Sequence, residues 1–390
     1  MEAYHGASDI IRMNMKKQRK ALFTSHTANF QKFNRPFMRM LSGTLEKPLD
    51  KYNIGEWSVD YASANEEQVF DADNVFLVDF PRNPFLLFQL LKSYHQVKHI
   101  LDENHYDLIH THTPVGSVIT RLAARKARKN GTKLIYTAHG FHFYKGAPLK
   151  NWLLWYPIEK RLSKMCDCLV TINDEDYTLA KKKFRTTVRM INGVGIDTVK
   201  FGRALNAKEK DSLRKELNLS PSDFVIVYNG EFNPDKNHEM LIRGVEPLLK
   251  KHEDMKLLLI SKGALMEPMK KLVSELGIAK QVSFLGYRND VNQILQICNL
   301  YVSPSKREGL VVSVLEAIYC KLPVLLFDNR GHRQILGMHK NSIFKTELEM
   351  RKKIEKQYLG IKDYSAPFDE KFSLDSALRS MRKIYLEVME

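Results

Sequence analysis

Glu308 and Glu316 stand eight residues apart in SPSKREGLVVSVLEAIYCKLPVLLF, residues 303–327. This segment predicts a strand ending near Pro304, a short basic loop, a helix opening near Val311, and a new strand starting at Pro323. A helix opening presents unpaired N–H groups and the positive end of its dipole, which suit a diphosphate. Two carboxylates about 12 Å apart along a helical rise match the reach from a ribose, past two phosphates, to a sugar. Each can accept hydroxyl hydrogen bonds. Solvated acids on a helix face are the bland alternative. Other groups with chemistry are His139 and His142 in IYTAHGFHFYKGAP, Lys236 in PDKN, and His110-x-His112, whose spacing suits strand-end hydrogen bonding better than a metal.

The elements that must position these groups alternate along the whole chain. Short apolar runs such as ALFTS (21–25), KLIYTA (133–138), FVIVYN (224–229) and LYVSPS (300–305) are separated by helical stretches, among them 115–129, 153–165, 237–251 and 267–276. Continuous apolar runs are what parallel strands covered on both faces require. The pattern predicts a doubly wound α/β architecture. At 390 residues, two domains are expected, since a domain takes roughly 100–200 residues. NGVGIDTVKFGRALNAKEKD (192–211) is the natural boundary, giving Rossmann-like domains at 1–200 and 201–370 and a terminal helix within 371–390.

With these residues in place, the chain resembles the retaining family 4 glycosyltransferases of GT-B fold, within the capsule and exopolysaccharide branch. Glu308-x7-Glu316 with Gly309 and Pro323 carries the resemblance, and seven further segments support it. They are 107–125, 135–148, 166–184, 191–201, 229–242, 284–295 and 328–336. The resemblance implies two facing Rossmann-like domains with parallel sheets, an acceptor-binding first one and a nucleotide-sugar-binding second one, with the C-terminal helix returning to the first. It implies a UDP-sugar as donor, a lipid-linked glycan as acceptor and no metal or other cofactor. Lys236 would neutralise the donor phosphates, a task suited to a compact ammonium. His139 would lie near the transferred sugar, with Glu308 as the third residue of the reacting centre. Gly230, Glu231, Tyr287, Arg288, Lys306, Gly309, Leu310 and Glu316 would complete the donor side. His26, Asn29, His112 and His142 would lie on the acceptor side.

The chain departs from the family pattern in places. Glu231 follows Gly230 where an arginine is common, so a phosphate-facing cation must come from Arg288, Lys306, Arg307 or Arg333. The glycine-rich loop after KLLLI shrinks to Ser261-Lys262-Gly263, and Lys321 stands where a glycine is expected. A catalytically silent subunit that binds a sugar nucleotide and supports a partner enzyme is therefore the alternative to a transferase. A sugar-nucleotide epimerase is a further one.

The formal net charge of +16 calls for an anionic partner. Residues 1–200 hold 30 Lys and Arg against 20 Asp and Glu. This basic first half, with Arg121, Lys160, Arg161, Lys164 and the run at 181–185, points to a polyprenyl-diphosphate acceptor and an anionic inner-membrane surface. FNRPFMRML (33–41) would lie in that interface. No recognition motif for nucleic acid is present. Four cysteines in apolar contexts suit a reducing compartment. No signal peptide or span of roughly 20 apolar residues is read, so the expected location is cytoplasmic, peripheral on the inner face of the membrane.

Overall fold

The apolar runs form the strands of two parallel sheets. The computed structural model describes residues 18–26, 31–64, 71–81, 86–337 and 339–390, with Lys32 by its backbone alone. Among these residues the first sheet holds β1 (Lys20–Thr24), β2 (Ser58–Ser63), β3 (Val75–Leu77), β4 (Leu108–His112), β5 (Lys133–Ala138), β6 (Cys168–Thr171) and β7 (Thr187–Met190). Their order is β3-β2-β1-β4-β5-β6-β7. The second sheet holds β8 (Phe224–Asn229), β9 (Met255–Ile260), β10 (Val282–Gly286), β11 (Leu300–Ser303), β12 (Val324–Phe327) and β13 (Ile343–Phe344), in the order β10-β9-β8-β11-β12-β13. Sequence order reverses between β1 and β4 in one sheet and between β8 and β11 in the other. Crevices beyond the carboxyl ends of strands at such switch points are where open α/β sheets bind ligands.

The chain divides into two compact units: the first runs to Val194 and takes back Ala377–Glu390, and the second is Gly195–Ser376. The division thus falls a few residues before 200, and the returning segment starts within the last helix, Leu374–Met389. That helix buries Leu378, Met381, Ile384 and Tyr385 in the first unit, where Glu387 pairs with Arg189 at 2.9 Å. Gly195 opens the second unit at φ +76°, and a Cβ on it would lie 2.5 Å from Leu374 Cα. Gly195→Ala is therefore expected to cost more than the about 1–3 kcal/mol of a non-glycine residue in the left-handed region. Gly277→Ala is the control, because Gly277 has a similar φ of +71° and no atom within 4 Å of its added Cβ. Urea unfolding of both variants isolates the cost of the backbone contact.

Three strands lack the apolar run. β2 carries Asp60, buried yet satisfied by Tyr106 Oη at 2.7 Å and Asn74 Nδ2 at 2.8 Å. β7 is an edge strand of mixed exposure, and β13 has only two residues. The segment 33–41 departs from its expected role in a membrane interface. It belongs to the helix Gln31–Ser42, whose Phe37, Met38, Met40 and Leu41 are fully buried in the first unit and cannot enter a bilayer.

Candidate functional site

In the second unit, Lys236 lies in the loop after β8 and Glu308 in the loop after β11, at the switch point. Adjacent parallel strands bring these loops together, and the Lys236 ammonium forms an ion pair with the Glu308 carboxylate. Two further bonds tie the loops together: the Lys306 N–H donates to the Asp235 carbonyl at 2.8 Å, and the Arg307 guanidinium donates to the Asp235 carboxylate at 2.7 Å. A buried polar chain holds them from below. Ser305 Oγ donates to Tyr228 Oη at 2.9 Å, and Tyr228 donates onward to the Lys236 carbonyl at 3.2 Å. Asn329 Nδ2 donates to the Ser305 carbonyl at 2.7 Å. His332, fully buried, stands 2.7 Å from the Phe327 carbonyl through Nδ1 and 3.2 Å from Ser303 Oγ through Nε2. Burial pushes its pKa down to about 4, so the ring is neutral and acts as a strut.

Glycines make room for this arrangement. A Cβ on Gly230 would meet Tyr228 Oη at 2.7 Å, and one on Gly331 would meet the Gly309 carbonyl at 2.9 Å and Glu308 Cβ at 3.1 Å. Gly263 packs on the Phe232 backbone, so the shortened Ser261-Lys262-Gly263 loop keeps its one indispensable glycine. Lys321 adopts φ +61°, the left-handed conformation that favours the glycine expected there.

Gly309 and Leu310 precede the helix Val312–Tyr319, and Glu316 sits half-buried on it. Of the four cations offered as substitutes for the missing arginine, three are already paired. Arg288 forks onto Asp290 at 2.6 Å and reaches Glu216 at 3.0 Å; Arg307 holds Asp235, and Arg333 holds Asp328 at 2.5 Å. Lys306 is exposed and has no acidic partner among the described residues. Arg330, which the sequence reading passed over, donates to the Glu308 carbonyl at 3.3 Å. Tyr287 is 66% exposed, and Glu231 is exposed as well.

In the first unit, a row of histidines continues β4 and β5. His110 stands 2.7 Å from Tyr385 Oη and 2.8 Å from Thr137 Oγ1. His112 Nδ1 and His139 Nε2 are 3.1 Å apart, so one N–H bridges the two rings. Burial pushes His110 and His139 down to about 3 and His112 well below the usual histidine range. Among the described residues no group of three His, Cys, Asp or Glu side chains is set to hold a metal ion. His26 follows β1, its backbone N–H bonding Thr113 Oγ1 at 3.1 Å, and His142 stacks on Trp155 with ring centres 4.8 Å apart. Asn29 lies outside the described residues.

Histidines held neutral in the fold contribute stability that is fully present above pH 6.5 and is lost as the pH falls toward 3, because the unfolded chain then binds protons the folded one refuses. Each such ring adds a slope of about 1.4 kcal/mol per pH unit in that window. Unfolding of the His139→Asn variant near pH 5 is expected to take up about one proton fewer than the parent, measured as the pH dependence of urea unfolding.

Arg121 is not part of a basic surface. It is buried with Glu159, their side chains 1% and 3% exposed and 2.8 Å apart, and Tyr136 also donates to Glu159 at 3.1 Å.

Two family models match the chain: "Glycosyl transferases group 1" over residues 209–357 and "Glycosyl transferase 4-like" over residues 52–173. EpsD of Bacillus subtilis (strain 168), provisionally named a glycosyltransferase, is 42% identical over 282 residues, covering 72% of this chain and 74% of its own. The Escherichia coli UDP-Gal:alpha-D-GlcNAc-diphosphoundecaprenol alpha-1,3-galactosyltransferase is 26% identical over 67% of this chain and 68% of its own. The crystal structure of Anabaena Alr3699/HepE in complex with UDP superposes with a TM-score of 0.71 at 16% identity, covering 94% of this chain and 100% of that one.

Proposed function

The chain belongs to the family 4 glycosyltransferases and has their GT-B fold, and from that membership we propose that it is a retaining enzyme moving a sugar from a UDP-sugar to a lipid-linked glycan. The observation that carries this reading is the Lys236–Glu308 ion pair at the switch point of the second sheet. A cation held beside a carboxylate is poised to exchange partners: an arriving diphosphate takes the ammonium and leaves the Glu308 carboxylate to accept sugar hydroxyls. Glu316 holds the ribose. Lys306 and the amides of Gly309 and Leu310 meet the charge that grows on the leaving phosphate, which is where electrostatic catalysis acts. The bond from the sugar C1 to the phosphate oxygen breaks, the acceptor oxygen bonds to C1 on the same face, and its proton passes to the leaving phosphate. His139 contacts the transferred sugar. No metal takes part in this scheme.

The diphosphoundecaprenol acceptor in the E. coli relative's name supports a polyprenyl-diphosphate acceptor, and the likeness to EpsD supports a role in exopolysaccharide or capsule synthesis. No helix among the described residues is long and apolar enough to cross a membrane. A peripheral position on the cytoplasmic face fits that acceptor. The test is the anomeric configuration of sugar released or transferred from an α-linked UDP-sugar, followed by proton NMR before mutarotation. An α product is expected, and a β product would overturn retention. Nucleotide binding without turnover would assign the silent-subunit role instead, for which the exposed Glu231 is the warrant.

A further inference from the structure

The helix Leu149–Leu162, LKNWLLWYPIEKRL, turns outward residues that a globular surface usually hides. Leu149 is 73% exposed and Leu153 70%, and Trp152, Trp155 and Tyr156 are only half-buried beside them. The exposed positions 149, 153, 157, 160 and 164 recur at helical spacing, so they form one stripe that begins apolar and ends cationic. Lys160, Arg161 and Lys164 occupy the cationic end, and Lys150 flanks the apolar one, all exposed and without an acidic side-chain partner among the described residues. The one acid between 145 and 164, Glu159, faces inward and is spent on the buried Arg121.

We propose that this stripe is a membrane-contact surface that seats Leu149, Leu153 and the adjoining tryptophans among anionic lipid headgroups. Three observations select that occupant. Aromatic rings beside exposed leucines match the interface between hydrocarbon and water. Cations without acidic partners match an anionic surface, each contributing a favourable increment there. A second copy of this chain is disfavoured, because a two-fold contact would set the same uncompensated cations against each other. The helix begins after the carboxyl end of β5, and its Trp155 stacks on His142, so a lipid-linked acceptor would meet the chain beside the histidine row. That last step rests on the acceptor reading above; the lipid surface itself does not. This surface replaces the segment 33–41, which is buried.

Flotation of the full chain with vesicles of three parts phosphatidylcholine to one part phosphatidylglycerol at low salt tests the proposal. The parent is expected to bind these vesicles and to leave pure phosphatidylcholine ones. Leu149→Asp with Leu153→Asp should weaken binding about a hundredfold, the loss expected from two leucines withdrawn from an apolar phase. Lys160→Glu with Arg161→Glu should weaken it about tenfold or more. Leu348→Asp, at a 55% exposed leucine of the second unit, should change nothing. Brominated lipid should quench Trp152 and Trp155, whereas Trp57, the third tryptophan, is buried. Failure of the parent to float, undiminished flotation of the double leucine variant, or a vesicle-free dimer abolished by that variant would overturn the proposal. UDP-sugar binding, followed by thermal shift in the same samples, tells such a failure from a failure of the donor-site reading.

Discussion

Lys236→Ala is expected to lower turnover of a UDP-sugar by about a hundred- to a thousandfold, the usual loss when one preorganised donor to a developing charge is removed. The variant should stay folded. The Glu308 loop keeps the contacts that hold it independently of the ammonium, from Lys306 N–H to the Asp235 carbonyl, from Asn329 to the Ser305 carbonyl and from Arg330 to the Glu308 carbonyl. The Glu308 side chain, 11% exposed, loses its ion partner but keeps an edge on water. Initial rates with labelled donor measure the effect. A rate within tenfold of the parent would remove Lys236 from the reacting centre. Lys236→Arg is informative beside it, because a planar guanidinium keeps the charge but changes its reach and fork.

Glu159→Ala is expected to have the largest effect on stability, about 3–5 kcal/mol, because it strands a buried guanidinium. Arg121 also stacks over the Tyr136 ring, 4.4 Å from its centre, and donates to the Ser117 carbonyl at 3.2 Å, so it cannot swing out to solvent without breaking the packing under β5. Tyr136 loses its acceptor in the same step. Removing both charges together, in Arg121→Met with Glu159→Leu, should recover most of the loss, since apolar residues of similar volume often replace a buried pair without penalty. Urea unfolding of the three variants decides it. A single-variant loss below about 1 kcal/mol would mean that water reaches the pair.

The sheets were legible because strands covered on both faces must be apolar throughout, and β5 and β8 coincide with their runs to the residue. The same rule hid β2, whose Asp60 is tolerated only because Tyr106 and Asn74, 46 and 14 residues away, bond it. Arg121 misled for a related reason. Within RLAARKARK it reads as one of several surface cations, and nothing local reveals that Glu159 is folded against it 38 residues later. In the donor half, Glu308 and Glu316 were visible as a spaced pair, but the Lys236–Glu308 contact spans 72 residues and follows only from the adjacency of β8 and β11. Tyr228, Ser305, Asn329 and His332, which brace that contact, carry no motif of their own. Small polar residues just past the carboxyl ends of neighbouring strands are a signal that could have found Ser305 and Asn329, but not Tyr228 or His332.

The exposed leucines of the helix Leu149–Leu162 show the same limit from the other side. Their segment, LKNWLLWYP, has apolar residues on more than one side of the helix, and the buried Glu159 marks the inward side that leaves Leu149 and Leu153 exposed.

Everything proposed for the second unit depends on its loops after β8 and β11 receiving a nucleoside diphosphate. Titration calorimetry of UDP, GDP and ADP against the full chain, repeated with Glu316→Ala, measures this without need of an acceptor. The expected result is preferential binding of UDP, weakened by about tenfold or more when the glutamate that holds the ribose loses its hydrogen bonds. Binding of none of the three, or UDP binding unchanged by Glu316→Ala, would contradict the site.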